Sequence, residues 1–140
     1  MRVAFDSSAI FKRYSPEAGR DRVLAALAGA TAVIVAPHLR LEVITSARRL
    51  VRDGLLDQDG YQHFGRLFQA DLAGWEVQPY SRPMEEASLR AVDAARVRAT
   101  DALHVGAALV ARVQLFVTAD RRQAEAARAL HLETELVPAL

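Results

Sequence analysis

The chain has 140 residues, 51% of them hydrophobic and 25% charged, with a formal net charge of +1. That length suits one compact domain with its own core, here expected to span residues 1–140. A near-zero net charge gives no general nucleic-acid affinity, and the lack of cysteine excludes disulfides and thiolate metal sites.

The first apolar run, RVAF at 2–5, is a strand candidate that ends at Asp6. Segments 7–13 and 18–27 read as helices, with Val23, Leu24 and Leu27 at helical spacing. AVIVA at 32–36 is a continuous apolar run, the mark of a strand covered on both faces. Pro37 ends it. The helix that follows carries Leu39, Val43, Ala47, Leu50 and Val51 on one stripe and is closed by Gly54. A further helix after Asp57 aligns Tyr61, Phe64, Leu67, Phe68 and Leu72, and 75–79 is a weaker strand. Two helices are expected over 84–97 and 100–112, a buried strand at LFVT, 115–118, a helix over 120–130, and an edge strand at 134–137. Strands alternating with helices of ten or more residues predict an α/β fold, a three-layer sandwich with a mostly parallel sheet between helices. Right-handed crossovers then gather the strands' carboxyl ends on one side, where ligands bind.

Four acids fall at that end. Asp6 follows the first strand, Glu42 lies a turn into the helix after the second, Asp101 opens an apolar helix, and Asp120 follows LFVT. Singly, Asp6, Asp101 and Asp120 read as helix caps, and Glu42, bordering an apolar stripe, reads as the partner of an arginine. Together they would repel one another unless a cation lay among them. An all-oxygen cluster suits Mg²⁺ or Mn²⁺, and the chemistry it supports is phosphoryl transfer by activated water.

The segments VAFDSSAIFKRY, PHLRLEVITSARRL, RATDALHVGAAL and FVTADRRQAEAARALHL resemble, in order and spacing, the four acidic motifs of PIN-domain proteins, most of all the VapC-type toxins of bacterial toxin–antitoxin pairs. The resemblance runs from the first strand to the last helix. It implies a PIN-like fold and an endoribonuclease that depends on Mg²⁺ or Mn²⁺. It assigns Asp6, Glu42, Asp101 and Asp120 to the catalytic metal cluster. Thr118 matches a hydroxyl that supports the first aspartate or a water on the metal, and Ser7 matches the small hydroxyl residue after that aspartate. The partners it implies are RNA and a cognate antitoxin of the VapB kind, gripped by the helices over 38–73.

Other residues read more plainly. His104, three residues after Asp101, is expected to be structural, and His38, His63 and His131 solvated. The stripe of Tyr61, Phe64, Leu67 and Phe68 reads as core or as an interface, and a homodimer is expected from it. Lys12, Arg13, Arg40, Arg98, Arg121 and Arg122 either rim the acidic site or form ordinary charged surface. MRVAFDSSAIF has an aspartate where a secretory signal needs an apolar run, and no apolar stretch approaches the ~20 residues of a bilayer span. A cytoplasmic protein without membrane contact is expected. The alternatives are a receiver-like signalling domain with an acidic edge, disfavoured because Lys12 is the only lysine, and a PIN-like domain that binds RNA without cutting it. No G-x-G-x-x-G or G-x-S-x-G is present to support dinucleotide or serine-hydrolase chemistry.

Overall fold

Short β-branched runs separated by amphipathic helices build a wound sheet, and the computed structural model, which describes residues 1–139, has that form. Five strands, β1 (Arg2–Phe5), β2 (Ala32–Val35), β3 (Glu76–Val77), β4 (Leu115–Thr118) and β5 (Thr134–Leu136), lie in the order β3-β2-β1-β4-β5. Every pairing is parallel, with Val3 opposite both Val33 and Leu115. The helices are α1 (Ser7–Ile10), α2 (Arg20–Gly29), α3 (Leu39–Arg52), α4 (Gln58–Gly74), α5 (Arg82–Ala94), α6 (Ala99–Val110) and α7 (Arg121–Ala129).

Strand side chains alternate between the faces, and both faces are apolar. Val3, Phe5, Val33, Val35 and Val117 pack with residues of α1 to α4, whereas Ala4, Ile34 and Phe116 pack with α5, α6 and α7. Alternation therefore does not appear as polar and apolar in the sequence; both sets are covered.

Three local features differ from the sequence reading. The helix expected over 7–13 is split into α1 and a 3₁₀ turn, Phe11–Arg13. The next helix begins later, at Arg20, because Gly19 takes a left-handed φ of +85°, and a Cβ there would come within 3.0 Å of the Pro138 carbonyl oxygen. Helix α5 begins earlier than expected, since Ser81 caps the Met84 amide at 3.2 Å and Pro83 lies in the first turn.

The aromatic stripe of α4 is core. Phe64 and Phe68 stack at 5.6 Å, Tyr14 meets both edge-on at 5.3 and 5.4 Å, and Trp75 meets Phe68 edge-on. Only Leu67 of the four stripe residues is well exposed. The exposed aromatic surface from which a homodimer was expected is therefore absent.

Candidate active site

The order β3-β2-β1-β4-β5 runs outward in both directions from β1 and β4, so the connections leaving these two strands diverge and open a crevice at their carboxyl ends. Asp6 and Asp120 stand at that crevice.

Asp6 is fully buried and caps α1, accepting the Ala9 amide at 2.9 Å. Its carboxylate also accepts the Ser8 hydroxyl at 2.7 and 2.9 Å and the Thr118 hydroxyl at 2.7 Å. Burial pushes its pKa up, and the nearby His104 together with these donors only partly offsets that. Thr118 is buried too, and its oxygen accepts the Asp120 amide at 3.0 Å. Of the two roles the resemblance allowed Thr118, its hydrogen bond serves the first: it holds the aspartate and ties it to the loop after β4.

Glu42, in the first turn of α3, extends toward α1 and α6. Its Oε1 accepts the Ser7 hydroxyl at 2.9 Å and lies 2.6 Å from His104 Nε2 and 3.4 Å from His38 Nε2. Burial alone would raise the Glu42 carboxyl. The His104 and Ser7 hydrogen bonds outweigh that, and its pKa is lowered. The expected pairing with an arginine is not made; Glu42 pairs with histidines. His38 is mostly covered, contrary to the solvated place expected for it. It reaches the Thr100 carbonyl at 2.7 Å, its ring lies over that of His104 at 4.3 Å, and burial lowers its pKa. His63 and His131 are exposed as expected.

Asp101 and Asp120 form the other half of the site. Asp120 caps α7 through the Arg122 amide at 2.8 Å. Asp101 caps nothing: it lies within the first turn of α6, whose cap position is Arg98. One side chain joins the two acids, since Gln123 Nε2 donates to Asp101 at 3.4 Å and to Asp120 at 3.3 Å. Burial raises the Asp101 pKa, and the charges of Asp120 and Glu42 raise it further. Two of the three expected caps therefore exist, and capping does not compete with convergence, because the capped ends of α1 and α7 both face the crevice.

Fold and hydrogen bonds thus bring Asp6, Ser7, Glu42, Asp101, Thr118 and Asp120 to one end of the sheet. Among the described residues, the group whose ligand atoms all lie within 4.8 Å of one another is His38, Glu42 and His104, not the four acids. Ser8, Gln123, His38 and the contact role of His104 were missed in the sequence. Two had a signal: Asp120-x-x-Gln123 has the spacing of a capping box, and His38 precedes Glu42 by one helical turn. The basic residues divide. Lys12 is buried against Glu17, and Arg13 is bound to Asp71 at 2.6 Å, so neither is free to rim the site. Arg40, Arg98, Arg121 and Arg122 are exposed, and Arg98 comes within 4.0 Å of Asp101.

The residues fit a hard divalent cation. Burial and the charges of Asp120 and Glu42 raise the Asp101 pKa despite the opposing pull of His104 and Arg98, and the buried Gln123 Oε1 has no hydrogen-bond partner. Both are local conflicts of a kind kept at functional sites.

The PIN domain family matches residues 3–129, and the chain belongs to that family. Its structural neighbours are toxin–antitoxin PIN proteins. A toxin–antitoxin complex from Klebsiella pneumoniae superposes with a TM-score of 0.63 at 17% identity, over 84% of this chain and 86% of that one. VapBC2 of Rickettsia felis, bound to DNA from its promoter, gives 0.69 at 11% identity over 98% and 99%. Mycobacterium tuberculosis VapC20, a toxin that cleaves the sarcin–ricin loop, gives 0.62 at 14% identity over 87% and 92%. At such identities the likeness is one of fold. No curated protein matches the sequence.

Proposed function

We propose that this protein is a divalent-metal-dependent endoribonuclease, the toxin of a toxin–antitoxin pair. One observation carries the proposal: Asp101, which caps nothing, is crowded by Asp120 and Glu42 at the switch-point crevice beside buried Asp6. Asp6, Glu42, Asp101 and Asp120 would hold Mg²⁺ or Mn²⁺, which supplies the activation of water and the neutralisation of charge on the leaving oxygen. Thr118 and Ser8 keep Asp6 aimed at the crevice. Arg98, Arg121 and Arg122 lie where an RNA backbone approaching the acids would pass, and arginine suits phosphate. The RNA-cleaving neighbour supports RNA as substrate.

The toxin–antitoxin neighbours support an antitoxin partner of the VapB kind. The groove between α3 and α4, lined by Arg40, Ile44, Tyr61, Phe64 and Leu72, continues to Pro37 beside the site and would receive it. A homodimer belongs to the same proposal, now supported by exposed Leu89 and Val92, neighbours on one face of α5. Action on cytoplasmic RNA agrees with the lack, among the described residues, of any helix long and apolar enough to cross a membrane.

The test is cleavage by the purified protein. RNA should be cut with Mg²⁺ or Mn²⁺, leaving 5′-phosphate and 3′-hydroxyl ends, and spared in EDTA. Alanine at Asp6, Glu42, Asp101 or Asp120 should each remove most activity. Cleavage that persists in excess EDTA, or that yields cyclic phosphates, refutes the proposal.

A further inference from the structure

The cluster of His38, Glu42 and His104 has the residue types of a nitrogen–oxygen metal site, but its geometry is that of a hydrogen-bonded brace. Two ligands on one small cation, each about 2.0–2.2 Å from it, sit about 3 Å or more apart. His104 Nε2 and Glu42 Oε1 are 2.6 Å apart, a hydrogen-bond distance. A carboxylate only accepts, so His104 Nε2 carries the proton. A carbonyl also only accepts, so His38 Nε2, 2.7 Å from the Thr100 oxygen, carries one as well. The Nδ1 atoms of both rings are buried without a partner. The His38 ring lies over that of His104 at 4.3 Å and holds it from one side.

We infer that His104, braced by the His38 ring, is a positioning residue that fixes Glu42 through Oε1 and leaves Oε2 as the oxygen that meets the cation. Ser7 and His104 both donate to Oε1, and among the described residues no hydrogen bond reaches Oε2. A carboxylate anchored in this way presents one oxygen in a fixed direction, which is how a supporting shell sharpens a metal site. His104 is buried, and only α6, whose first turn carries Asp101, places it there. One helix therefore supplies an acid of the site and the donor that aims another. The inference rests on the proposed metal site and adds His104 and His38 to it.

The test is Mn²⁺ binding to the full chain, followed calorimetrically, with pulsed EPR of the bound ion. His104→Gln, whose amide can donate in place of Nε2–H, should bind within a few-fold of the parent. His104→Leu should bind about 10–100-fold more weakly. Parental affinity in a folded His104→Leu protein overturns the inference while the nuclease reading survives. If neither variant folds, EPR of the parent decides. An Mn²⁺ signal without directly coordinated nitrogen supports positioning, and a strong nitrogen coupling makes a histidine a ligand and overturns it. A parent that takes up no Mn²⁺ overturns the nuclease reading and this inference together.

Discussion

Replacing Asp101 by Asn separates a functional conflict from an ordinary helix start. Asp101 Oδ1 and Asp120 Oδ2 both accept from Gln123 Nε2, at 3.4 and 3.3 Å, and so lie at most about 6.7 Å apart, where unit charges repel by about 0.6 kcal/mol in water and about 2.5 kcal/mol at an effective dielectric of about 20. The Asp101 side chain is 27% exposed, so solvent screens it and a value of about 1.5 kcal/mol is appropriate. Asn keeps Oδ1 for Gln123 but loses the favourable term of a carboxylate in the first turn of α6, about 0.3–1 kcal/mol. In EDTA the variant should therefore be more stable by about 1 kcal/mol, a rise in Tm of about 3 °C for a chain of this size. Saturating Mg²⁺ or Mn²⁺ should reverse the order, since at a hundred times Kd a ligand adds about 2.7 kcal/mol to the protein that binds it. Asp6→Asn should behave differently. The Ala9 amide donates to Oδ1 and the Thr118 hydroxyl to Oδ2, so an amide nitrogen on either side leaves a buried donor without an acceptor, costing about 1–3 kcal/mol. Thermal melts of the three proteins with and without metal measure all of this. If Asp101→Asn lowers Tm in EDTA and metal shifts parent and variant equally, the reasoning fails.

The Asp101 effect should also depend on pH. Its pKa is raised in the fold, so the parent's stability from this group is complete below about pH 4 and is lost as pH rises through the folded value. The advantage of Asp101→Asn in EDTA should accordingly grow from near zero at about pH 4 to its full size at about pH 7, and an advantage that does not change with pH would contradict the assignment. Thr118→Val removes a buried donor to Asp6 and an acceptor for the Asp120 amide; urea unfolding should show a loss of about 1–3 kcal/mol, with Thr118→Ser recovering most of it. Gly106→Ala should destabilise by about 1–3 kcal/mol, because the added Cβ runs into Ser88 Oγ and to 2.9 Å from the Met84 carbonyl oxygen. Adding Ser88→Ala should recover only part of it, since the backbone contact remains.

Much of this protein is legible in its sequence because the signals are local. Pro37, Gly54 and Asp57 punctuate the helices, the runs AVIV and LFVT are too short and too β-branched for anything but buried strands, and alternation with helices of ten residues or more dictates a parallel sheet. A parallel sheet in turn puts the carboxyl ends of all strands on one side, so the sequence alone assigns Asp6 and Asp120 to the same end. The strand order, and with it the position of the crevice between β1 and β4, is a matter of long-range packing. So is the fate of the α4 aromatics, which spacing alone left between core and interface and which Tyr14 and Trp75 draw into the core. The histidines show the limit most clearly. Nothing near His104 in sequence reveals that α6 would lay it against Glu42, 62 residues away, with His38 stacked on it. Residue type fixed what that imidazole can donate; only the packing of α6 against α3 decided to whom, because hydrogen bonds between side chains depend on tertiary distances that no local spacing encodes.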